Sequence, residues 1–186
     1  MIQIVTFKSN VSHTIAVGSK VHLQLPAPHH KNTFYEFINR NKTFHEPWVY
    51  VPDDSKYFDQ YFRRMKMGKI LGFFVYANES GNFVGVVNLN NVRLDPFASG
   101  SLSYYAEEKE CGNGYMKEAI WLVLRHAFLK IGLNRIEVNI QPENEASIAL
   151  VKSVGFMNEG FSRKYLKIGN EYRDHQRWAY LADNFS

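Results

Sequence analysis

The stretch Lys109-Glu110-Cys111-Gly112-Asn113-Gly114-Tyr115-Met116 decides the fold, because it joins a β-rich run to a long segment with helical periodicity. Downstream of it, Met116, Ala119, Ile120, Val123, Ala127 and Ile131 fall on one stripe, which predicts a helix over residues 114–131 with that face buried. Upstream, residues 100–106 read as a strand. The first amides of a helix have no intrahelical partner. Two glycines at such an end let the backbone approach an anion without Cβ interference, and the aligned peptide dipoles add about half a positive charge. A pyrophosphate is a natural occupant. Taken alone, the G-x-G is equally a strand-to-helix turn eased by two small residues.

What is missing narrows the ligand. A phosphate-binding loop of the Walker type needs Lys and then Ser or Thr after its last glycine, and Tyr115 and Met116 stand there. A dinucleotide fingerprint needs a third small residue where Lys117 stands, and a parallel unit near the N-terminus that this sequence lacks. ATP or GTP hydrolysis and nicotinamide or flavin binding are both disfavoured.

Working outward, residues 21–25 alternate as a strand, and Phe34, Phe37 and Ile38 mark a first helix after Pro28. Asp53, Asp54 and Ser55 are candidate caps for a second helix carrying Tyr57, Phe58, Tyr61, Phe62 and Met65. Residues 70–77 and 83–89 form a hairpin across the turn of residues 78–82, followed by a loop over 93–99. Beyond the long helix come a strand over 135–140, a helix from Asn144 to about Ser153 stopped by Gly155, and a closing hairpin of residues 156–168 and 171–181. The predicted order is β-α-α-β-β-β-α-β-α-β-β. Hairpins around one strand-helix-strand unit predict an α/β (α+β) mixed sheet flanked by helices, neither doubly wound nor a barrel.

Length and composition agree with one domain over residues 1–186. Hydrophobic residues make up 45% and aromatic residues 15%, enough for a core without disulfides. Cys111 is the one cysteine, which excludes an internal disulfide and points to a reducing, cytoplasmic setting. The first residues lack a signal-peptide pattern, and the longest apolar run, 70–77, is too short to span a bilayer. The seven histidines show no metal spacing, so no metal is expected. The net charge of +4 is spread along the chain and marks no nucleic-acid face.

About thirty residues after the glycine loop, Asn144-Glu145-Ala146-Ser147-Ile148-Ala149-Leu150 opens a helix directly after a strand, and Gly155-Phe156 closes it. With the loop, this resembles the GNAT acetyltransferase superfamily, and in particular its ribosomal-protein-alanine branch of RimJ/RimL type. Asn41, Phe44, Pro47 and Trp48 resemble that branch's N-terminal segment, and Tyr165, Leu166, Gly169 and Arg173-Asp174-His175 its tail. The resemblance implies a splayed, mostly antiparallel sheet whose strand ending at Tyr105 and Ala106 pairs with the pantetheine arm of acetyl-CoA. It implies that Lys109, Cys111, Gly112, Asn113, Gly114, Tyr115 and Met116 hold the pyrophosphate, with Asn144 and Ser147 as a second cofactor element.

Two departures matter, besides Cys111, which stands where a larger residue is common. Lys109 replaces the usual Arg or Gln that opens the loop, and Val151 stands where many members carry the tyrosine that protonates the leaving thiolate. The resemblance then makes Ser147 the candidate acid, with a helix-cap hydroxyl as the alternative. Trp48, Tyr105 and Tyr165 are candidates to line the acceptor channel, and core packing is their alternative. Glu137, and more weakly Glu46, are candidate bases, but a structural ion pair is the commoner fate of such a carboxylate. Cys111 at a helix start invites a lowered pKa and a covalent route, yet direct transfer suits a thioester better.

The expected acceptor is the N-terminal α-amine of a protein, a ribosomal protein by the resemblance. An α-amine titrates at ~7.7–8.0 and needs only a weak base, whereas a lysine amine at ~10.4 needs more help. A polyamine acetyltransferase and a non-catalytic acetyl-CoA sensor stand as alternatives, as do monomer and homodimer.

Overall fold

A computed structural model describes residues 14–46, 48, 49, 52 and 56–185. The proposed caps Asp53, Asp54 and Ser55, and Pro47 of the N-terminal segment, lie outside the described residues. Eight strands form one sheet in the order β1-β2-β3-β4-β5-β6-β8-β7. They are β1 (Thr14–Val17), β2 (Val21–Gln24), β3 (Ile70–Ala77), β4 (Phe83–Arg93), β5 (Ser99–Ala106), β6 (Arg135–Ile140), β7 (Met157–Ile168) and β8 (Glu171–Leu181). The helices are α1 (Lys31–Arg40), α2 (Lys42–His45), α3 (Tyr57–Lys66), α4 (Tyr115–His126) and α5 (Glu145–Val154). The expected mixed, mostly antiparallel sheet is what forms, with β5 and β6 as its parallel pair.

The differences from the sequence expectation have local causes. Strand β1 was not anticipated: its four residues are exposed or half-buried, so no apolar alternation announces it. Strand β4 runs on to Arg93 rather than ending at residue 89, because its tail continues to pair with β5. The predicted helix over 114–131 is α-helical only to His126, then continues as a π-helical turn, Ala127–Ile131, stopped by Gly132 at φ +80°.

Strand β3 explains the layering. Phe73, Val75 and Ala77 face one side with Ile120, Val123 and Leu124 of α4, while Phe74 faces the other with Phe34, Phe37 and Ile38 of α1 and Phe58 and Tyr61 of α3. Covered on both faces, it reads as a continuous apolar run rather than an alternating one. Each of these large side chains contributes about 1.5–3 kcal/mol by leaving water. Gly72 is fixed by this packing, since a Cβ there would stand 1.9 Å from the Tyr61 hydroxyl.

The site owes its position to an incomplete parallel pairing. β5 and β6 are in register only at Ser99–Arg135, Gly100–Ile136 and Ser101–Glu137. Beyond Ser101 the pairing with β6 stops, and the end of β5 borders a cavity. The start of α4 and the start of α5 both border it. Among the described residues no helix is long and apolar enough to cross a membrane.

Candidate active site

This cavity has a volume of about 460 Å³, with Tyr104, Tyr105 and Ala106 from the end of β5 as its spine. Cys111, Gly112, Gly114, Tyr115 and Met116 form one wall, Asn144 and Ser147 another, and Phe44, His45, Trp48 and Val49 an apolar lobe. The structure thus gathers most of the residues singled out in the sequence. Lys109 is exposed and Asn113 lies between the two glycines, and neither is in the cavity wall. Tyr165 is not in the wall. It sits on β7, 48% exposed, with its hydroxyl accepting from Asn139 Nδ2 at 3.2 Å.

The loop is shaped to receive an anion. Gly112 and Gly114 hold φ +87° and +78°, values L side chains rarely adopt. The amides of Gly112, Asn113 and Gly114 donate to no other described residue, and those of Tyr115, Met116 and Lys117 are the unpaired first turn of α4. The diphosphate of a CoA thioester fits this set of donors and the cavity beside it.

Two residues that sequence reasoning missed, Glu118 of α4 and Lys20 of the first hairpin, tie the loop to that hairpin. The Glu118 carboxylate on α4 accepts from Ser19 N (2.9 Å), Ser19 Oγ (2.7 Å), Lys20 N (2.7 Å) and Val21 N (2.8 Å). Burial raises its pKa, but these bonds outweigh that and hold it below the ordinary carboxylate value. Lys20 Nζ in turn donates to the carbonyl of Asn113 at 2.9 Å. A separation of 98 residues leaves no local signal for this clamp.

Cys111 is not activated. Burial raises its thiol pKa, and Glu108 and Glu107 raise it further, opposite to the lowered value a helix start suggests. Its Sγ faces the Glu107 carbonyl at 3.5 Å. Burial is the larger of these causes, and the two carboxylates act in the same direction.

Asn144 and Ser147 divide the two readings of their motif. Asn144 Oδ1 caps α5 by accepting from the Ser147 amide at 3.0 Å. The Ser147 hydroxyl therefore takes no part in the cap. It lies 2.5 Å from the hydroxyl of Tyr104, a cavity residue that no sequence pattern singles out.

The candidate bases are engaged elsewhere. Glu137 accepts from Arg135 Nε at 2.7 Å, and the same guanidinium is paired with Glu159, so the plainer structural reading of Glu137 is the one observed. Glu46 is exposed and outside the cavity wall. Within the wall, Glu107 is paired with Arg40 at 2.6 Å, and Glu110 accepts from Asn82 and Asn113. His45, also unanticipated, has Nε2 2.9 Å from the Ala106 carbonyl, while its buried Nδ1 has no partner among the described residues. Burial lowers its pKa, although the Ala106 bond, Glu107 and Glu108 oppose this. No group of His, Cys, Asp and Glu suited to a metal occurs among the described residues.

Comparison with known proteins meets this geometry. A family profile described as an acetyltransferase (GNAT) domain matches residues 20–157. The [ribosomal protein uS5]-alanine N-acetyltransferase of Escherichia coli is 26% identical over 177 residues, covering 91% of each chain. RimJ of Mycobacterium smegmatis, solved with CoA-disulfide, is 25% identical at TM-score 0.81, covering 88% of this chain and 82% of its own. The ribosomal-protein-S5-alanine acetyltransferase of Vibrio fischeri is 23% identical at TM-score 0.81, with 95% and 99% covered.

Proposed function

Because the chain belongs to the GNAT acetyltransferase family, we propose that this N-acetyltransferase moves the acetyl group of acetyl-CoA directly onto the N-terminal α-amine of a protein. A ribosomal protein is the acceptor class its relatives favour. The observation that carries this choice is the state of the cavity's carboxylates: Glu107 is paired with Arg40, which leaves Glu110, hydrogen-bonded to two neutral asparagines, as a single charge rather than a cluster. A polyamine would ask for free acids around its charges, and a lysine amine for a strong base. An α-amine, neutral in good part near pH 7, needs neither.

The thioester supplies an activated acetyl carbon. On this reading the loop from Cys111 to Met116 binds the diphosphate, and the edge of β5 at Tyr105 and Ala106 pairs with the pantetheine arm. Phe44, Trp48 and Val49 line the acceptor's approach. The amine's lone pair forms the new N–C bond as the C–S bond breaks. The amine then loses its proton to water, and the Ser147 hydroxyl meets the departing sulfur. The chain acts as one acetyltransferase domain in the cytoplasm.

The test is incubation with labelled acetyl-CoA and a panel of N-terminal alanine peptides, spermidine and aminoglycosides. Label on the peptide α-amine is the expected result. Predominant labelling of spermidine overturns the acceptor, and cofactor binding with no transfer to any amine turns the protein into a sensor.

A further inference from the structure

We propose that Tyr104 is a positioning residue for departure of the thiolate: its hydroxyl donates to Ser147 Oγ and so leaves the single Ser147 proton directed at the leaving sulfur. The inference rests on the reading above that Ser147 faces the thioester. Its ground is geometric. The two oxygens are 2.5 Å apart, at the short end of the range for O–H···O bonds. Neither side chain is placed by chance. Tyr104 is opposite Val87 in the β4–β5 ladder, just where β5 has left β6, and the Ser147 amide is anchored on Asn144.

A serine hydroxyl has one proton and turns freely. Left to itself next to a newly formed anion it loses entropy on aligning. With a donor fixed on one side, its own proton is already aimed at the other. Tyr104 suits this role because burial pushes its phenol up to about 12, the Ser147 bond pulling weakly the other way, so it keeps its proton across the working range.

The same chemistry says what Tyr104 does not do. An ordinary thiol titrates near ~8.5, so handing a proton from this phenol to the sulfur runs uphill. The sulfur leaves with the electron pair of the C–S bond as a thiolate, Ser147 O–H hydrogen-bonds to it, and Tyr104 retains its proton. This supplies a donor to the sulfur although Val151 stands at the position of the family's usual tyrosine.

A double-mutant cycle tests it, run on whichever amine of the panel the wild-type enzyme acetylates, so that a wrong acceptor does not affect the outcome. Tyr104→Phe keeps the ring in the core and is expected to lower kcat about tenfold, the equivalent of ~1.4 kcal/mol. KM for acetyl-CoA should stay within about twofold, since the ring and the backbone of β5 stay in place. In a Ser147→Ala background the same change should have no further effect. Equal losses in both backgrounds, or a loss confined to KM, overturns the role of Tyr104 while leaving Ser147 in place. A fully active Ser147→Ala overturns the reading of Ser147 itself. An alkaline limb of the kcat profile that disappears in Tyr104→Phe replaces positioning with proton donation.

Discussion

Gly114→Val separates binding from folding at the loop. Gly114 lies at φ +78° and ψ +5°, where a Cβ costs roughly 1–2 kcal/mol, and a β-branched side chain somewhat more. That Cβ would stand 3.4 Å from Lys20 Nζ, the end of a flexible chain, so backbone strain dominates over collision. Against a stability of about 5–15 kcal/mol the fold survives, with the melting midpoint lowered by roughly 5 °C. The damage to ligand binding is larger. If the valine turns two loop amides from a diphosphate, at about 1.5 kcal/mol for each bond to a charged group, CoA affinity falls roughly a hundredfold. The assay is calorimetric titration with CoA well below the midpoint. Gly132→Val is the control, because Gly132 has φ +80° at the far end of the same helix and no atom within 4 Å of its would-be Cβ. Wild-type affinity in Gly114→Val, or an equal loss in Gly132→Val, refutes the reasoning.

Other outcomes follow from the same geometry. Cys111→Ser should keep most activity, and Cys111 should react slowly with iodoacetamide at pH 7.5; loss of activity, or fast alkylation, would restore a covalent route. Glu118→Ala strands four donors and should weaken both stability, by about 2 kcal/mol, and CoA binding, whereas unchanged values for both would show the clamp to be ornamental. Burial, with help from His29, lowers the His30 pKa from 6.5 to about 4, and its Nδ1 accepts from the Ala27 amide. The unfolded chain therefore takes up this proton first, and stability falls as pH drops from 6.5 towards 4. Urea midpoints across that window should slope less in His30→Gln, and an identical slope would contradict the assignment.

The parts of the fold written in neighbouring residues were legible, and the parts made by distant ones were not. The hairpin over residues 70–89 declared itself through β-rich runs around Gly81, and α1, α3 and α4 through apolar stripes that the core confirms at Phe34, Phe58 and Ile120. Asn144 announced a helix start and is the cap. Strand β1 has no such pattern and exists because Gln24, Leu23 and His22 of β2 offer it an edge. In the site, local patterns pointed to the glycines, Trp48 and Tyr105, but also to Tyr165, which is outside the cavity wall, and not to Tyr104, which is in it. Both are aromatic residues on strands, and only the parting of β5 from β6 shows which of them reaches the cavity. Glu118, Lys20 and His45 act through partners 61 to 99 residues away, a distance at which spacing carries no information.

The most direct measurement is a crystal structure of the protein grown with acetyl-CoA. The account requires the diphosphate on the amides between Cys111 and Met116, the pantetheine arm along Tyr105 and Ala106, and the thioester sulfur within hydrogen-bond reach of Ser147 Oγ. A ligand bound away from the start of α4, leaving those amides to water, would contradict it.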